Sequence, residues 1–208
     1  GTTPGRPVLI GTHYDTRPYA DEEPDSRLHS RPILGANDGG SGTAVLLGLA
    51  EFLHHHPPSR PVHLVFFDGE DFGPKNSGVA LLGSTQYARR LVASVDQEQW
   101  PYCVLVVDMV GDRDLQIYRE TNSLKSAPWL VDILFQAARE KKLPQFRDKV
   151  RYTIYDDHYP FIKIGIPSAL LIDFDYPPWH TLEDTLEKCT PESLFAVFSV
   201  VVEALGRI

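Results

Sequence analysis

The sequence predicts a single α/β domain of three layers, with helices covering both faces of a mainly parallel sheet. Short apolar runs of strand length alternate along the chain with longer segments of helical spacing, and strands separated by helices pair in parallel. The 208 residues match one ordinary domain able to bury its own core. Hydrophobic residues at 42% and charged residues at 23% are the proportions of a folded globular chain.

Pro7 to Ile10 reads as a buried strand, an apolar run bounded by Pro and Gly and ending in GTHYDT. From Arg17 to Gly42 the chain is rich in Pro, Asp, Ser and Gly, a long irregular loop of the kind that carries function in compact domains. Thr43 to Leu53 is apolar nearly all round and reads as a buried helix, with Ser41 near its N-terminus. His54, His55 and His56 follow, ahead of Pro57 and Pro58, where cationic side chains suit a helix C-terminus better than a metal.

Val62 to Phe67 forms a second buried strand ending in DGEDFG, and an irregular stretch leads to a helix around GSTQYARRL. Tyr102 to Val107 is a third strand, and Asp114 to Tyr118 a further candidate. Leu130, Ile133, Leu134, Ala137 and Ala138 share one helix face. Ser168 to Ile172 supplies another strand. The last helix is capped by Thr190, opens on Pro191 and Glu192, and spaces Leu194, Val197, Phe198, Val201 and Leu205 helically.

A net charge of −8 without clustered Lys and Arg argues against nucleic acid as a partner. No stretch is long and apolar enough to span a membrane as a helix. Cys103 and Cys189 form neither a disulfide framework nor a thiolate zinc motif. The opening GTTPGRP has no signal-peptide pattern and enters a strand at once, so a processed or truncated start is expected.

The chemistry-bearing residues gather at the carboxyl ends of the predicted strands, where ligands bind in such sheets: His13 and Asp15, Glu70 and Asp71, Asp108, and His180. With Asp38 in a glycine-rich turn, two imidazoles and three carboxylates make a ligand set suited to zinc. Asp15, two residues beyond His13, falls on the same side of a strand and could orient that imidazole. Glu70 and Asp71 would repel one another if idle, so a nearby cation is expected, one acid ligating and the other free for proton transfer.

HYDT, GANDGGSG, FFDGED, LLGS, VVDMVGD, DDHYPF and WHTLEDT, in that order, resemble the zinc-dependent exopeptidase family 28, which contains double-zinc aminopeptidases and animal-type glutaminyl cyclases. The resemblance runs from His13 to the final helix. It implies a zinc exopeptidase-like three-layer α/β/α fold with a mixed, mainly parallel sheet, residues 1–208 forming one catalytic domain that lacks an N-terminal segment. Asp38, Asp71 and His180 match ligands common to both branches, His13 and Asp108 the ligands of a second zinc, and Glu70 the proton-transferring group. Where the family often has Glu, this chain has Asp71, as some bacterial cyclase-like members do.

Two places resemble the cyclases more closely: DDH, where aminopeptidases more often show SDH, and Trp179 directly before His180. By that resemblance Asp156 shares hydrogen bonds or protons with Glu70 and Asp108, and Trp179 walls the substrate pocket. The implied activity is conversion of N-terminal glutamine of peptides or proteins to pyroglutamate with release of ammonia, on one zinc. The alternative is hydrolysis of N-terminal residues on two. A catalytically silent binding domain is a lesser reading, since no ligand position or base is missing. Residence outside the cytosol, secreted or periplasmic, is also implied by the resemblance.

Overall fold

The computed structural model describes residues 1–73 and 79–208. In chain order the elements are β1 (Val8–His13), α1 (Gly40–His55), β2 (Val62–Phe67), α2 (Leu82–Ser94), β3 (Cys103–Asp108), β4 (Ile117–Arg119), α3 (Thr121–Ser126), α4 (Pro128–Glu140), β5 (Phe146–Val150), α5 (Tyr159–Lys163), β6 (Ser168–Ile172) and α6 (Pro191–Leu205). The central sheet runs β2-β1-β3-β6, and β4 pairs with β5 beside it. Every strand pair in both sheets is parallel among the described residues.

Alternation along the strands builds two cores. Val8, Ile10, Leu105, Val107, Ala169 and Leu171 face one side, where Val45, Leu46 and Leu49 of α1, Leu130 and Leu134 of α4 and Val197, Val200 and Val201 of α6 cover them. Leu9, Val104, Val106, Leu170 and Ile172 face the other, against Ala88 and Leu91 of α2 and Phe161 of α5. The predicted three layers follow, because a parallel sheet must be covered on both faces.

The expected strands at Val62–Phe67 and Ser168–Ile172 have those bounds, whereas β1 and β3 reach further, to His13 and Asp108. Two burial readings are corrected. β2 lies at the sheet edge with His63 and Phe66 exposed, because strand order and not composition decides which strand is covered. α1 packs on one face only and turns Leu47, 59% exposed, to solvent. Its N-cap is Gly39, and Ser41 lies in the first turn, where its hydroxyl donates to the Asn37 carbonyl at 2.5 Å. Of the irregular stretch expected before α2, residues 74–78 lie outside the described residues.

Thr190 caps α6 as its sequence predicts, accepting from the Ser193 N–H with Pro191 in the first turn. His54 and His55 occupy the last turn of α1, and His55 pairs with Glu51 at 3.2 Å. Cys103 and Cys189 are free thiols.

From β1 the chain crosses to β2 on one side, and after β3 it continues to β6 on the other. The strand order thus reverses between β1 and β3, leaving a crevice at their carboxyl ends. His13 and Asp108 are the last residues of those two strands.

Candidate active site

The crevice brings the predicted residues together. His13 Nε2 lies 3.0 Å from Asp108 Oδ1, and 3.2 Å from Asp38 Oδ1. The other Asp38 oxygen, Oδ2, lies 3.3 Å from His180 Nε2, which is also 3.3 Å from Asp71 Oδ1. Asp38 therefore shows one oxygen to each imidazole. The loop that carries it approaches β1 so closely that a Cβ on Gly39, at φ +86°, would lie 2.4 Å from the Asp15 carbonyl oxygen. A side chain there would displace Asp38.

Asp38, Asp71 and His180 fit a divalent metal. An ion with tetrahedral bonds of about 2.0 Å sets neighbouring ligand atoms about 3.3 Å apart, the separation found on both sides of His180 Nε2. Asp38 Oδ2 and His180 Nε2 are buried yet make no aligned hydrogen bond. Buried polar atoms are almost always paired, so two unpaired lone-pair donors turned to one point suit a cation. His13 and Asp108 differ: their 3.0 Å contact is an aligned hydrogen bond, and each satisfies the other.

Crowded acids set the electrostatics. Burial pushes the Glu70 carboxyl well above its ordinary range, and the Asp71 charge adds to the push. Burial likewise raises Asp108 to about 6, despite His13, and Asp156 to about 7, with help from Asp108. Burial would lower the two imidazoles, but it is outweighed by Asp108, Asp15 and Asp38 at His13, and by Asp38 and Asp71 at His180, which rises to about 9. Carboxylates in such excess are the condition a dication relieves.

Asp15 holds more than an imidazole. His13 Nδ1 lies 3.1 Å from the Asp15 carbonyl oxygen and 3.6 Å from its carboxylate, while that carboxylate accepts the backbone N–H groups of Glu70 and Asp71 at 3.1 and 3.2 Å. The β1 terminus thereby fixes the turn that presents both acids. Asp156 is buried and its charge acts on Glu70, but among the described residues no hydrogen bond joins Asp156 to Glu70 or Asp108; it accepts from the Asp157 N–H. Trp179 stacks on His180 with centroids 4.0 Å apart, and on its other contact meets Phe174 at 5.3 Å.

Sequence reasoning missed the residues that tie these loops together. Asp184 is fully buried and accepts from the Asn37 N–H at 2.9 Å, the Asp38 N–H at 3.2 Å and the Tyr176 hydroxyl at 2.8 Å. Asn37 Oδ1 in turn accepts from the Gly111 N–H at 2.6 Å, and Ser41 Oγ from the Val110 N–H at 2.9 Å, just past Asp108. The sequence signal was shared motifs alone, Asp184 with His180 in WHTLEDT and Asn37 and Ser41 with Asp38 in GANDGGSG, since contacts between distant loops leave no local periodicity.

A parallel sheet that gathers imidazoles and carboxylates able to hold a metal at its switch point defines the class as an α/β protein with a candidate metal centre. The chain belongs to peptidase family M28, whose model matches residues 1–205. Among solved structures it is similar to a leucine aminopeptidase precursor from Bacteroides thetaiotaomicron, at TM-score 0.92 and 29% identity, covering 99% of this chain and 73% of that one. It is similar also to the glutaminyl cyclase of the same organism bound to N-acetylhistamine, at TM-score 0.90 and 29% identity, covering 98% and 73%. A glutaminyl-peptide cyclotransferase of Boiga dendrophila is 26% identical over 95% of this chain, which spans 61% of that relative's length.

Proposed function

We propose that this chain is a glutaminyl-peptide cyclotransferase that binds one zinc ion through Asp38, Asp71 and His180. The observation that carries the reading is the asymmetry of the two ligand clusters: Asp38 Oδ2 and His180 Nε2 face each other at 3.3 Å with no aligned hydrogen bond, whereas His13 and Asp108 close on each other in one at 3.0 Å. Trp179, stacked on His180, adds an apolar wall beside that position. Both core clusters are built on one sheet, which supports reading residues 1–208 as one catalytic domain.

When bound, zinc supplies a Lewis acid that polarises the γ-amide carbonyl of an N-terminal glutamine and steadies the negative charge that develops on its oxygen. The substrate's own α-amine attacks the γ-carbon, so proximity replaces a second reactant. Glu70 accepts the proton that the amine sheds as the ring C–N bond forms. It then returns that proton to the amide nitrogen as the original C–N bond breaks and ammonia departs. Burial suits Glu70 to both halves, because a carboxyl held above its ordinary range takes up the proton more readily and can then return it. Asp156 and Asp108 are raised by the same burial, and Asp156 acts on Glu70 through its charge. Asp15 holds the Glu70–Asp71 turn.

The aminopeptidase reading is favoured by one observation: Asp38 faces both imidazoles, and His13, Asp38 and Asp108 form a second possible ligand group. A paired assay on one zinc-quantified sample decides between them. The proposal expects ammonia from a peptide beginning with glutamine and one zinc per chain. Cleavage of leucine-type chromogenic amides with two zinc ions, and no ammonia, would overturn it in favour of hydrolysis. Loss of both activities in the zinc-loaded protein would leave the silent binding domain. Secreted or periplasmic residence belongs to the same proposal and is read by fractionating the producing cells.

A further inference from the structure

We infer that Arg17 and Asp21 are positioning residues that set the proton and the orientation of His180, an inference that rests on the metal reading above. Neither residue offers an atom to the candidate ligand groups. Both belong to the irregular loop after β1, and both are turned inward: Arg17 is only 6% exposed.

Asp21 stands between a cation and an imidazole. Its Oδ1 lies 3.4 Å from His180 Nδ1, the nitrogen opposite the one that faces Asp38 and Asp71. The same carboxylate is gripped by the Arg17 guanidinium, through Nη2 to Oδ2 and through Nε to Oδ1 at 3.3 Å. A carboxylate beside one ring nitrogen holds the proton there and leaves the lone pair of the other free for a metal. The 3.4 Å contact is a charge contact and not an aligned hydrogen bond, so Asp21 favours through its charge the His180 tautomer that a metal on Nε2 requires.

Arg17 does a second thing. Its Nη1 donates to the carbonyl oxygens of Asp71 and Gly73, at 2.9 and 2.6 Å. One planar group therefore spans the chain segments of two candidate ligands, Asp71 directly and His180 by way of Asp21. Lysine carries the charge but not the fork needed to reach both at once. The neighbours of Asp21 dock onto the same turn: the Glu22 N–H donates to the His180 carbonyl at 3.2 Å, and Glu23 Oε1 accepts the Leu182 N–H at 2.8 Å. These contacts brace a histidine whose φ of +54° is unfavourable for a residue with a side chain.

The test measures zinc affinity by competition with a chelator of known affinity, in the wild-type chain and in Asp21→Asn, Arg17→Lys and His180→Gln. Asp21→Asn and Arg17→Lys are expected to bind zinc about 10- to 100-fold more weakly. The double variant should lose less than the sum of the two single losses, because part of what Arg17 does passes through Asp21. If both stay within about threefold of wild type while His180→Gln loses zinc, the inference is wrong and the metal reading stands. If His180→Gln binds zinc as the wild type does, the metal reading falls and this inference with it. A measurement on the wild-type protein covers the case of a variant that does not fold. In the zinc-loaded, nitrogen-15-labelled chain, His180 should show a protonated Nδ1 and a metal-bound Nε2, and the reverse assignment overturns the proposal.

Discussion

Removing the Asp184 carboxylate should unsettle the Asp38 turn more than any other single change outside the ligands. The carboxylate is fully buried and satisfies three donors: the backbone N–H groups of Asn37 and Asp38, at 2.9 and 3.2 Å, and the Tyr176 hydroxyl at 2.8 Å. Asp184→Ala leaves all three without an acceptor, each orphaned group costing about 1–3 kcal/mol. Water entering the vacated space recovers part of this, so the expected loss is about 3–4 kcal/mol. In a chain of 208 residues that lowers the melting temperature by about 6–16 °C. Asp184→Asn keeps one acceptor oxygen and should lose about half as much. Urea unfolding with a chelator present gives the stability term free of metal binding, and amide hydrogen exchange at Asn37 and Asp38 locates it. A loss below about 1 kcal/mol for the alanine variant, with those two amides still protected, would refute the reasoning, since the bonds would then carry no net stabilisation.

Three further outcomes are expected. Glu70→Gln should keep its zinc, because the proposed ligands Asp38, Asp71 and His180 are untouched, and lose about 10²- to 10⁴-fold in turnover; zinc content and ammonia release, measured together, check it. Trp179→Ala should lower kcat/KM for glutamine peptides by about 5- to 30-fold, chiefly through KM, from the loss of about 1–2 kcal/mol of apolar contact; an unchanged KM with a lower melting temperature would make Trp179 a packing residue. Glu120 should carry an acid-dependent stability term. Burial alone would raise its carboxyl, but His158 and the N–H groups of Asn122, Ile154 and Ser123 outweigh burial and hold it at about 2, below its ordinary 4.5. A depressed carboxyl stabilises the fold above its unfolded value and loses that contribution as pH falls. About 3 kcal/mol should therefore disappear between about pH 5 and pH 2, and the slope should be absent in Glu120→Gln.

The strands and the ligand candidates were legible for the same reason. A buried parallel strand is a short apolar run, and the polar residue that ends it stands out, as His13 does after VLIGT and Asp108 after VLVV. The glycines around Asp38 announced a close approach, which the 2.4 Å clearance for a Cβ at Gly39 bears out. What stayed illegible is what one loop does to another. Arg17 and Asp21 carried no signal of their own in a long irregular loop, and only the fold places them behind His180. α3 and α5, of six and five residues, are too short to show a helical period. The edge position of β2 depends on strand order, which no run of residues encodes.

The loops after the strands are secured by a shared device: a carboxylate or amide oxygen from one accepts backbone N–H groups of the next. Asp15 fixes Glu70 and Asp71, Asp184 fixes Asn37 and Asp38, and Asn37 fixes Gly111. Bonds to backbone orient a turn without using the side chain that the turn presents, so the ligand atoms remain free for chemistry. The cost is negative charge, since Asp15 and Asp184 add to the acids already gathered there. A fold that positions its ligands with further acids therefore depends on a cation more strongly than the ligand set alone would require. On that view, the difference between one metal and two reduces to whether His13 Nε2 keeps its 3.0 Å bond to Asp108 or gives it up. A second cation would have to replace a satisfied hydrogen bond, whereas the first meets two buried atoms that have none.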